Sequence, residues 1–449
     1  MAKKLLIYGG RVINPKTNTD SFRDILISGN KIENIDSTIE KSENYNLLDA
    51  SNCIVSPGFI DIHCHLREPG EEYKETVVSG TNAAAAGGFT AICAMPNTIP
   101  AMDNRSVIEF ITNKSKEEAI IDVYPIGAVT KGRKGNELTE MSDLAEAGVI
   151  GFSDDGNPVS DSNIMRHALA YSSSLNLPII NHCEVPELSN GAHMNESWVS
   201  TLLGIKGMPN SAEEIMVARD ISLAKLTGGH IHIAHVSTEG SINLIRNAKS
   251  EGINITCEVT PHHLTLTDKS VLGINTDTGN YDPVTINSYN TMAKVNPPLR
   301  SLSDKSAMIE GILDGTIDII ATDHAPHSEI DKMCTMDEAA FGISVLETAL
   351  PSLISLTKTS KITIPLLIEK LTVNPASFLN LDIGSIEVGK IADLTIFNPT
   401  EKWKIQASKF LSKGKNTPLD GDTLTGKIKT TIKKGVPIYD DKREGVTKV

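Results

Sequence analysis

The sequence predicts an α/β fold, a (β/α)8 TIM-type barrel with a small β-sandwich domain formed by both chain ends. Two observations carry this prediction. Eight short apolar runs in the middle of the chain alternate with helix-like segments, and β-like runs of different spacing occur only before and after them. Eight β-then-α units fit a barrel better than an open sheet, although periodicity alone does not exclude a doubly wound fold.

The repeating part of the chain supplies the barrel. Each candidate strand is a short run rich in apolar and β-branched residues, and most are followed by a segment with helical periodicity. The predicted strands cover residues 59–66, 90–95, 120–126, 149–153, 178–182, 230–236, 254–259 and 318–323, and the predicted helices between them include residues 76–86, 161–175, 212–226, 240–251 and 303–313.

The two chain ends do not share this rhythm. They hold short β-like runs separated by Gly-Gly and Gly-Asn turns. We therefore predict one composite β-sandwich domain from residues 1–57 and 388–449, beside a barrel domain of residues 58–387. The runs that carry this prediction are residues 5–8, 24–28, 31–35, 391–398 and 430–439.

Composition excludes several classes of function. The chain has 449 residues, 40% of them hydrophobic, which suits one large and one small domain. No apolar run approaches the ~20 residues of a membrane span, so we expect a soluble protein that is not exported. The net charge of -14, without a dense basic cluster, argues against a nucleic-acid partner. Six cysteines without a Cys-x-x-Cys pair indicate buried thiols in a cytoplasmic protein.

The most informative stretch is Asp-Ile-His-Cys-His-Leu-Arg at residues 61–67, at the end of the first predicted strand. Strand side chains alternate, so His63, His65 and Arg67 share one face. Two imidazoles that converge on one point suit a divalent transition metal, and the arginine beyond them could hold an anionic substrate. A His-x-His pair also occurs on ordinary solvated strands, so the remaining strands decide the interpretation.

Active sites of such barrels lie at the carboxyl ends of the strands, and the polar residues of this chain obey that rule. Ligands from separate strands would meet above the barrel axis, which allows residues far apart in sequence to form one site. The polar residues at the strand ends are His63, His65, Asn97, Asp154, Asp155, His182, His235, His262, His263 and Asp323.

Several of these residues have a structural alternative. His230 and His232 share a strand face and are expected to point at the surrounding helices, whereas His235 ends the strand. Whether His262 and His263 have any role in the site, as support or as substrate contacts, stays open.

Asp154 and Asp155 are adjacent and cannot both point inward; one of them may satisfy turn amides at Gly156, and the residues alone leave that choice even. Cys64 and Cys183 are each offset by one residue from a candidate ligand histidine. They are therefore expected to face the helical layer.

Two motifs carry a family resemblance. Residues 61–69, Asp-Ile-His-Cys-His-Leu-Arg-Glu-Pro, and residues 321–327, Ala-Thr-Asp-His-Ala-Pro-His, followed by Lys332, resemble the two signatures of dihydroorotases in the amidohydrolase superfamily. Hydantoinases and allantoinases share the first pattern, and the second is more restricted. The resemblance covers nearly the whole chain. It implies a zinc-dependent cyclic-amide hydrolase that interconverts N-carbamoyl-L-aspartate and L-dihydroorotate in de novo pyrimidine biosynthesis.

The resemblance also implies a metal centre with one or two zinc ions (Zn2+), two being favoured. Many amidohydrolases bridge two metals with a carboxylated lysine at the end of strand four, and this sequence has no lysine there. It resembles the long bacterial type of dihydroorotase, in which an aspartate bridges, and the spacing to His182 matches Asp155 better than Asp154. The implied ligands are His63, His65 and Asp323 for one zinc and His182 and His235 for the other, with Asp155 between them.

Carried over in the same way, Arg67, Asn97 and His327 would bind the substrate carboxylate, and Asn296 the pyrimidine ring. Asp323 would act in catalysis, taking a proton from the attacking hydroxide and delivering it to the departing ring nitrogen. Residues 273–290 form a longer stretch than the family pattern has, which we interpret as a surface insertion at the rim of the site. Whether residues 328–341 form a mobile lid is left open.

Two other functions compete with this interpretation. A hydantoinase, dihydropyrimidinase or allantoinase is disfavoured by the missing lysine and by the set of residues suited to a carboxylated ring. A non-catalytic partner subunit of aspartate transcarbamoylase is disfavoured because all six metal positions hold competent ligands. We expect a small-molecule substrate and no membrane partner, and leave open a homo-oligomer and an association with aspartate transcarbamoylase.

Overall fold

The computed structural model describes residues 3–275, 284–442 and 445–446. Its central part contains strands at all eight predicted positions, most of them shorter than predicted, and each pairs in parallel with its neighbours. Their bounds are Phe59–Cys64, Phe89–Ala94, Asp122–Pro125, Phe152–Ser153, Ile179–Asn181, Ile231–Ile233, Ile255–Val259 and Ile319–Ile320.

These central strands follow one another in space in chain order. The first three form one sheet and the last five form another. Single parallel bridges link the two sheets on both sides, Gly127 with Phe152 and Cys64 with His324. Within each sheet, every strand therefore lies beside its neighbour in sequence.

The alternation of side chains divides the apolar residues between two clusters. Ile60, Ala91 and Ile180 belong to a cluster built mainly from the strands themselves. Phe59 and Ile92, which are their neighbours in sequence, belong to the large cluster that the strands share with the helices. Polar residues lie at the carboxyl ends of the strands.

Helices connect the central strands, and their ends follow ordinary capping rules. Thr76 accepts the amide hydrogen of Ser79 at the start of the first helix, and Gly228 in a left-handed conformation ends a long one. No helix among residues 3–275, 284–442 and 445–446 is long and apolar enough to cross a membrane. The helices are Val77–Ala86, Arg105–Glu118, Met141–Glu146, Ser162–Ser174, Pro186–Ser189, Trp198–Leu203, Ser211–Thr227, Glu239–Ser250, Pro261–Thr265, Leu302–Leu313, Glu329–Lys332, Ala349–Thr359, Ile364–Leu371 and Val373–Phe378.

The two chain ends meet in one hydrogen-bonded sheet of nine strands, where the sequence predicts a sandwich. Lys4–Asn14 pairs with Thr19–Ser28 on one side, with a shift in register between Ile7 and Gly10. On its other side, its first half pairs with Tyr45–Asp49 and its second half with Ile54–Pro57. Ile54–Pro57 then joins it to Leu394–Lys404. Because Lys4–Asn14 belongs to both sets of pairings, the strands form one continuous sheet and not two separate ones. The other strands are Thr19–Ser28, Lys31–Asp36, Tyr45–Asp49, Thr423–Lys433, Val436–Asp440 and Gly445–Val446; a separate small ribbon pairs Met194–Asn195 with Gly207–Met208.

The predicted insertion at residues 273–290 is described only in part, since residues 276–283 lie outside the described residues. Of its second half, Ile286 is almost fully exposed. The Tyr289 hydroxyl donates to the carbonyl of Leu203 at 2.9 Å. The exposure agrees with a surface position, and the placement at the rim of the site stays a prediction.

Candidate metal centre and substrate pocket

The six side chains predicted as metal ligands lie close together at the carboxyl ends of the strands, and all are buried. Nε2 of His65 is 3.0 Å from Oδ1 of Asp323, and Nε2 of His63 is 3.5 Å from the same oxygen. Two triads bring one potential ligand atom from each residue within 4.8 Å of the others. The triads are His63, His65 and Asp323, and His63, Asp155 and His235.

The carboxylate of Asp155 lies between two pairs of histidines. Its Oδ2 is 3.4 Å from Nε2 of His63 and 3.5 Å from Nε2 of His65. Its Oδ1 is 3.3 Å from Nε2 of His235 and 3.6 Å from Nδ1 of His182. One oxygen therefore faces each pair, which is the arrangement that a carboxylate bridging two metal ions requires.

Asp154 contacts a different part of the structure. Its Oδ1 accepts the amide hydrogens of Val129 at 2.9 Å and Thr130 at 3.0 Å, and the Thr130 hydroxyl donates to Oδ2. These amides come from the segment after the third central strand, not from the turn at Gly156. Burial raises the pKa of Asp154, against the pull of these hydrogen bonds. Of the two adjacent aspartates, Asp155 is the one that faces the histidines.

A buried glutamate that the sequence analysis missed orients His63. Oε1 of Glu258 lies 2.5 Å from Nδ1 of His63 and also accepts the amide hydrogen of His235 at 3.2 Å. Burial opposes ionisation of Glu258, but His63 and His232 outweigh it and hold its pKa well below the ordinary value. With Nδ1 engaged, Nε2 of His63 stays buried without a hydrogen-bond partner among the described residues. Such an orphaned nitrogen fits a metal ligand whose other nitrogen is fixed by a carboxylate.

Glu184 has a similar position beside His182, and it was also missed. Its Oε2 lies 3.0 Å from Nε2 of His182 and accepts a hydrogen bond from Nδ2 of Asn296 at 2.7 Å. Burial lowers the pKa of His182, but Asp155 and Glu184 together raise it to about 10. Glu184 thus connects a candidate metal ligand to a predicted substrate-binding residue.

His232 contacts a helix, as expected, and also polar groups of the neighbouring strand. Its Nε2 lies 3.3 Å from Oε2 of Glu258, its Nδ1 lies 2.8 Å from Oγ1 of Thr256, and its ring packs on Phe378. Thr256 and Glu258 lie on the same face of the neighbouring strand, and both are within hydrogen-bonding distance of the His232 imidazole. His232 therefore supports Glu258 below the metal centre.

The structure also shows the surroundings of Cys64, Cys183 and His263. Cys64 belongs to the core shared with the helices, and the Cys183 thiol contacts Oδ2 of Asp220 at 3.4 Å, so both cysteines face away from the metal centre as expected. His263 bonds to Thr260 and to the carbonyl of Pro297. These contacts give His263 a supporting position within the fold.

A cavity of about 360 Å³ lies directly over this centre. The Arg67 side chain enters it from the end of the first strand, is 7% exposed, and donates from Nε to the carbonyl of Pro326 at 3.3 Å. The cavity therefore presents a buried guanidinium beside the cluster of histidines and carboxylates. Predicted site residues in its lining are His65, Arg67, Asn97, Asp155, His182, Asn296, Asp323 and His327.

Asn97 and His327 contribute in different ways. Oδ1 of Asn97 lies 2.8 Å from Nδ1 of His65, which directs Nε2 of that ring toward Asp323. His327 donates from Nε2 to the carbonyl of Phe341 at 2.8 Å. Burial and the adjacent Arg67 lower the pKa of His327 to about 2, so its imidazole is neutral.

Strained backbone is concentrated at this site. Arg67, His235 and Asp323 have φ of 61°, 32° and 45°, in the left-handed region that non-glycine residues rarely adopt. Arg133, a further residue that the sequence analysis missed, has φ of 56°, lines the same cavity and donates to the carbonyl of Asp155 at 2.7 Å. The fold holds these residues against their local preference, as is common where geometry serves a function.

Solved structures of known proteins share this fold. The chain superposes on an L-hydantoinase (dihydropyrimidinase) from Arthrobacter aurescens with a TM-score of 0.84 and 22% identity, covering 97% of this chain and 96% of that one. A dihydropyrimidinase from Brevibacillus agri gives a TM-score of 0.83 and 20% identity, covering 98% and 95%. At these identities the likeness establishes a mixed α/β fold of this kind and nothing finer.

Sequence relatives are much closer. Residues 52–241 match the family model described as Dihydro-orotase-like. A protein named dihydroorotase from Acetivibrio thermocellus is 47% identical over 439 residues, which is 98% of this chain and 99% of that protein. Another from Pelotomaculum thermopropionicum is 48% identical over 440 residues, again 98% and 99% of the two chains. The chain belongs to the dihydroorotase family.

Proposed function

We propose that this protein is a zinc-dependent dihydroorotase, which interconverts N-carbamoyl-L-aspartate and L-dihydroorotate in de novo pyrimidine biosynthesis. The observation that carries the proposal is the cavity that places the buried Arg67 beside the cluster of histidines and carboxylates. The substrate has the two matching parts, a carboxylate and a cyclic amide. The full-length relatives named dihydroorotase support the same reaction.

The donor set fits two zinc ions. Nitrogen and carboxylate ligands suit zinc, and the unpartnered Nε2 of His63 supports a metal at that position. Zinc, when bound, lowers the pKa of its water from about 16 to about 7 and polarises a carbonyl group. The proposed ligands are His63, His65 and Asp323 for one ion and His182 and His235 for the other, with Asp155 bridging.

Asp323 is the proposed catalytic residue. Burial opposes its ionisation, but His63 and His65 hold its pKa at about 2, so the carboxylate is ionised. During hydrolysis it takes the proton of the attacking water and delivers it to the departing ring nitrogen. In the cyclisation direction the same carboxylate takes the proton from the attacking carbamoyl nitrogen and gives it to the carboxyl oxygen, which leaves as water when its C–O bond breaks.

The cavity residues hold the parts of the substrate that do not react. Arg67 binds the ring carboxylate through a charge-assisted pair, together with Asn97 and His327. Asn296, whose Oδ1 is buried without a partner among the residues that the structure describes, binds the ring. Dihydrouracil and hydantoin lack the carboxylate and would leave the Arg67 charge without a partner, so we expect both to be poor substrates.

We also propose that the eight central strands close into a (β/α)8 barrel. The bridges Gly127–Phe152 and Cys64–His324 support closure, because they join the two sheets on both sides. We assign residues 58–387 to the barrel domain and residues 1–57 and 388–449 to a composite β domain. In this scaffold every proposed ligand comes from a strand end, where a barrel builds its active site.

The test is a direct assay of the purified protein. Zinc per chain is measured by elemental analysis, and turnover is measured with dihydroorotate, carbamoyl-aspartate, dihydrouracil and hydantoin. We expect about two zinc ions per chain and turnover of the first two compounds. If dihydrouracil and hydantoin were turned over as fast as dihydroorotate, the protein would be a hydantoinase and the proposal would be wrong. If no ring were turned over, the protein would be a non-catalytic one.

A further inference from the structure

The lysine that follows the second motif, Lys332, is fully buried. Its Nζ donates hydrogen bonds to three main-chain carbonyls: Lys294 at 3.1 Å, Ala340 at 2.7 Å and Gly342 at 3.0 Å. An ammonium group has three hydrogen atoms to donate, so these bonds use its full capacity. Lys332 does not line the substrate cavity itself.

The three carbonyls belong to two segments that do line the cavity. Asn296 lies two residues after Lys294, and Phe341 lies between Ala340 and Gly342. The two segments also bond directly, because the amide of Gly342 donates to the carbonyl of Lys294 at 2.9 Å. The Phe341 carbonyl in turn receives the hydrogen bond from His327. The Lys332 ammonium group therefore lies where the cavity wall that carries Asn296 meets the wall that carries His327.

The three carbonyl acceptors favour a protonated lysine at this point. Three carbonyl oxygens converge on one atom, and their partial negative charges repel one another unless a positive charge lies among them. Burial, and to a smaller extent the nearby Lys294, lowers the pKa of Lys332 to about 7, so desolvation works against the charged form that the three carbonyls favour. Removing the ammonium would leave the carbonyls to separate, and the two cavity walls with them.

We propose that Lys332 is a positioning residue for the dihydroorotase reaction, fixing the Asn296 wall of the cavity against the wall that holds His327. The inference rests on the proposed function. It assigns Lys332 to substrate binding and leaves the metal centre untouched, because none of its partners is a proposed zinc ligand.

The test compares two buried lysines. Lys332→Met removes the ammonium and keeps most of the side-chain volume. Lys370→Met is the matched control. Lys370 lies in the helix Ile364–Leu371, is 4% exposed and donates to the carbonyl of Ile317 at 2.7 Å. Ile317 precedes the amino-terminal end of the last central strand, whereas the active site is proposed at the carboxyl ends. We expect Lys332→Met to raise KM for dihydroorotate roughly tenfold or more with kcat within about threefold, and Lys370→Met to leave KM unchanged.

A second variant covers a failure of Lys332→Met to fold. Lys332→Gln keeps two N–H donors on a shorter side chain, so its KM should lie between those of the wild type and Lys332→Met. Bound zinc and the far-UV circular dichroism spectrum should match the wild type. A wild-type KM in both Lys332 variants, or an equal rise in KM in Lys370→Met, would overturn the inference. Absence of dihydroorotate turnover by the wild type would instead refute the proposed function.

Discussion

Asp154 and Asp155 are neighbours in the chain, yet their carboxylates contact different parts of the structure. Asp154 accepts hydrogen bonds from the amides of Val129 and Thr130, whereas Oδ1 of Asp155 lies 3.3 Å from Nε2 of His235. The two side chains leave the end of the fourth central strand in different directions, and only that of Asp155 reaches the histidines. The other secures the segment after the third central strand.

This division predicts different losses for the two aspartates. Asp155→Ala should lower zinc content and activity together, because the bridge between the two histidine pairs is gone. Asp154→Ala should keep its zinc and lose about 1–3 kcal/mol of folding stability, because two buried amides lose their acceptor. Elemental analysis and thermal unfolding measure the two effects. A greater zinc loss in Asp154→Ala would reverse the assignment of the bridge.

The proton transfer can be tested at Asp323. Asp323→Asn keeps the shape of the side chain but removes the proton acceptor, so kcat should fall by roughly two to four orders of magnitude. The control is Asp382→Asn, at an exposed aspartate paired with Lys390. Zinc content is measured in parallel, since the amide is also a weaker ligand. Activity within threefold of the wild type would contradict the catalytic role.

Recognition of the carboxylate can be tested at Arg67. Removing one partner of a buried charged pair costs about 2–5 kcal/mol. Arg67→Met should therefore lower kcat/KM for dihydroorotate by roughly two to three orders of magnitude, with bound zinc unchanged. Arg246→Met, at an exposed arginine paired with Asp314, is the control. An equal loss with dihydrouracil would mean that Arg67 does not bind the carboxylate.

The support of His63 by Glu258 gives a prediction about zinc affinity. Glu258→Gln keeps the size of the side chain but removes the anionic acceptor of the Nδ1 hydrogen, so zinc affinity should fall about 10–100-fold. Glu213→Gln is the matched control, because Glu213 is buried and accepts the amides of Ser237 and Thr238 without touching a histidine. Competition with a chelator measures both. Equal affinities in the two variants would remove Glu258 from the metal centre.

A pH effect on stability is expected at Glu347, which lies away from the metal centre. Burial raises its pKa to about 7, from an ordinary value of 4.5, although the amides of Leu411 and Ser412 donate to its carboxylate. Between these values the folded state binds more protons than the unfolded state. The stability from Glu347 is therefore full below pH 4.5 and is lost as the pH rises through 7. Tm measured from pH 5 to 8 should fall less in Glu347→Gln than in the wild type; parallel curves would contradict this.

The eight central strands and the convergence of six residues at their carboxyl ends could be predicted, because apolar runs and strand alternation are local properties. Cys64, for example, faces the helical core because it lies one residue from His63. The roles of those six residues as ligands, and of Arg67, Asn97, Asn296 and His327 as substrate contacts, stay predictions.

What could not be predicted depends on contacts between strands. The choice between Asp154 and Asp155 depends on amides some two dozen residues earlier in the chain. The sequence did contain a signal for Glu258, because an acid alternates with Thr256 inside the apolar strand Ile255–Val259. Its partner His63 lies on another strand, however, so the contact could not be predicted. Its effect on His232 was missed for the same reason.

The terminal sheet has a consequence for synthesis of the chain on the ribosome. Ile54–Pro57 pairs with Leu394–Lys404, and Ser56 contacts the carbonyl of Thr395, 339 residues later. Until that late segment is translated, one edge of Ile54–Pro57 has no strand to bond, and exposed edges invite pairing with other chains. We therefore expect the helices between the central strands to form during translation and the terminal sheet to close last. Truncation before residue 394 should yield chains that aggregate.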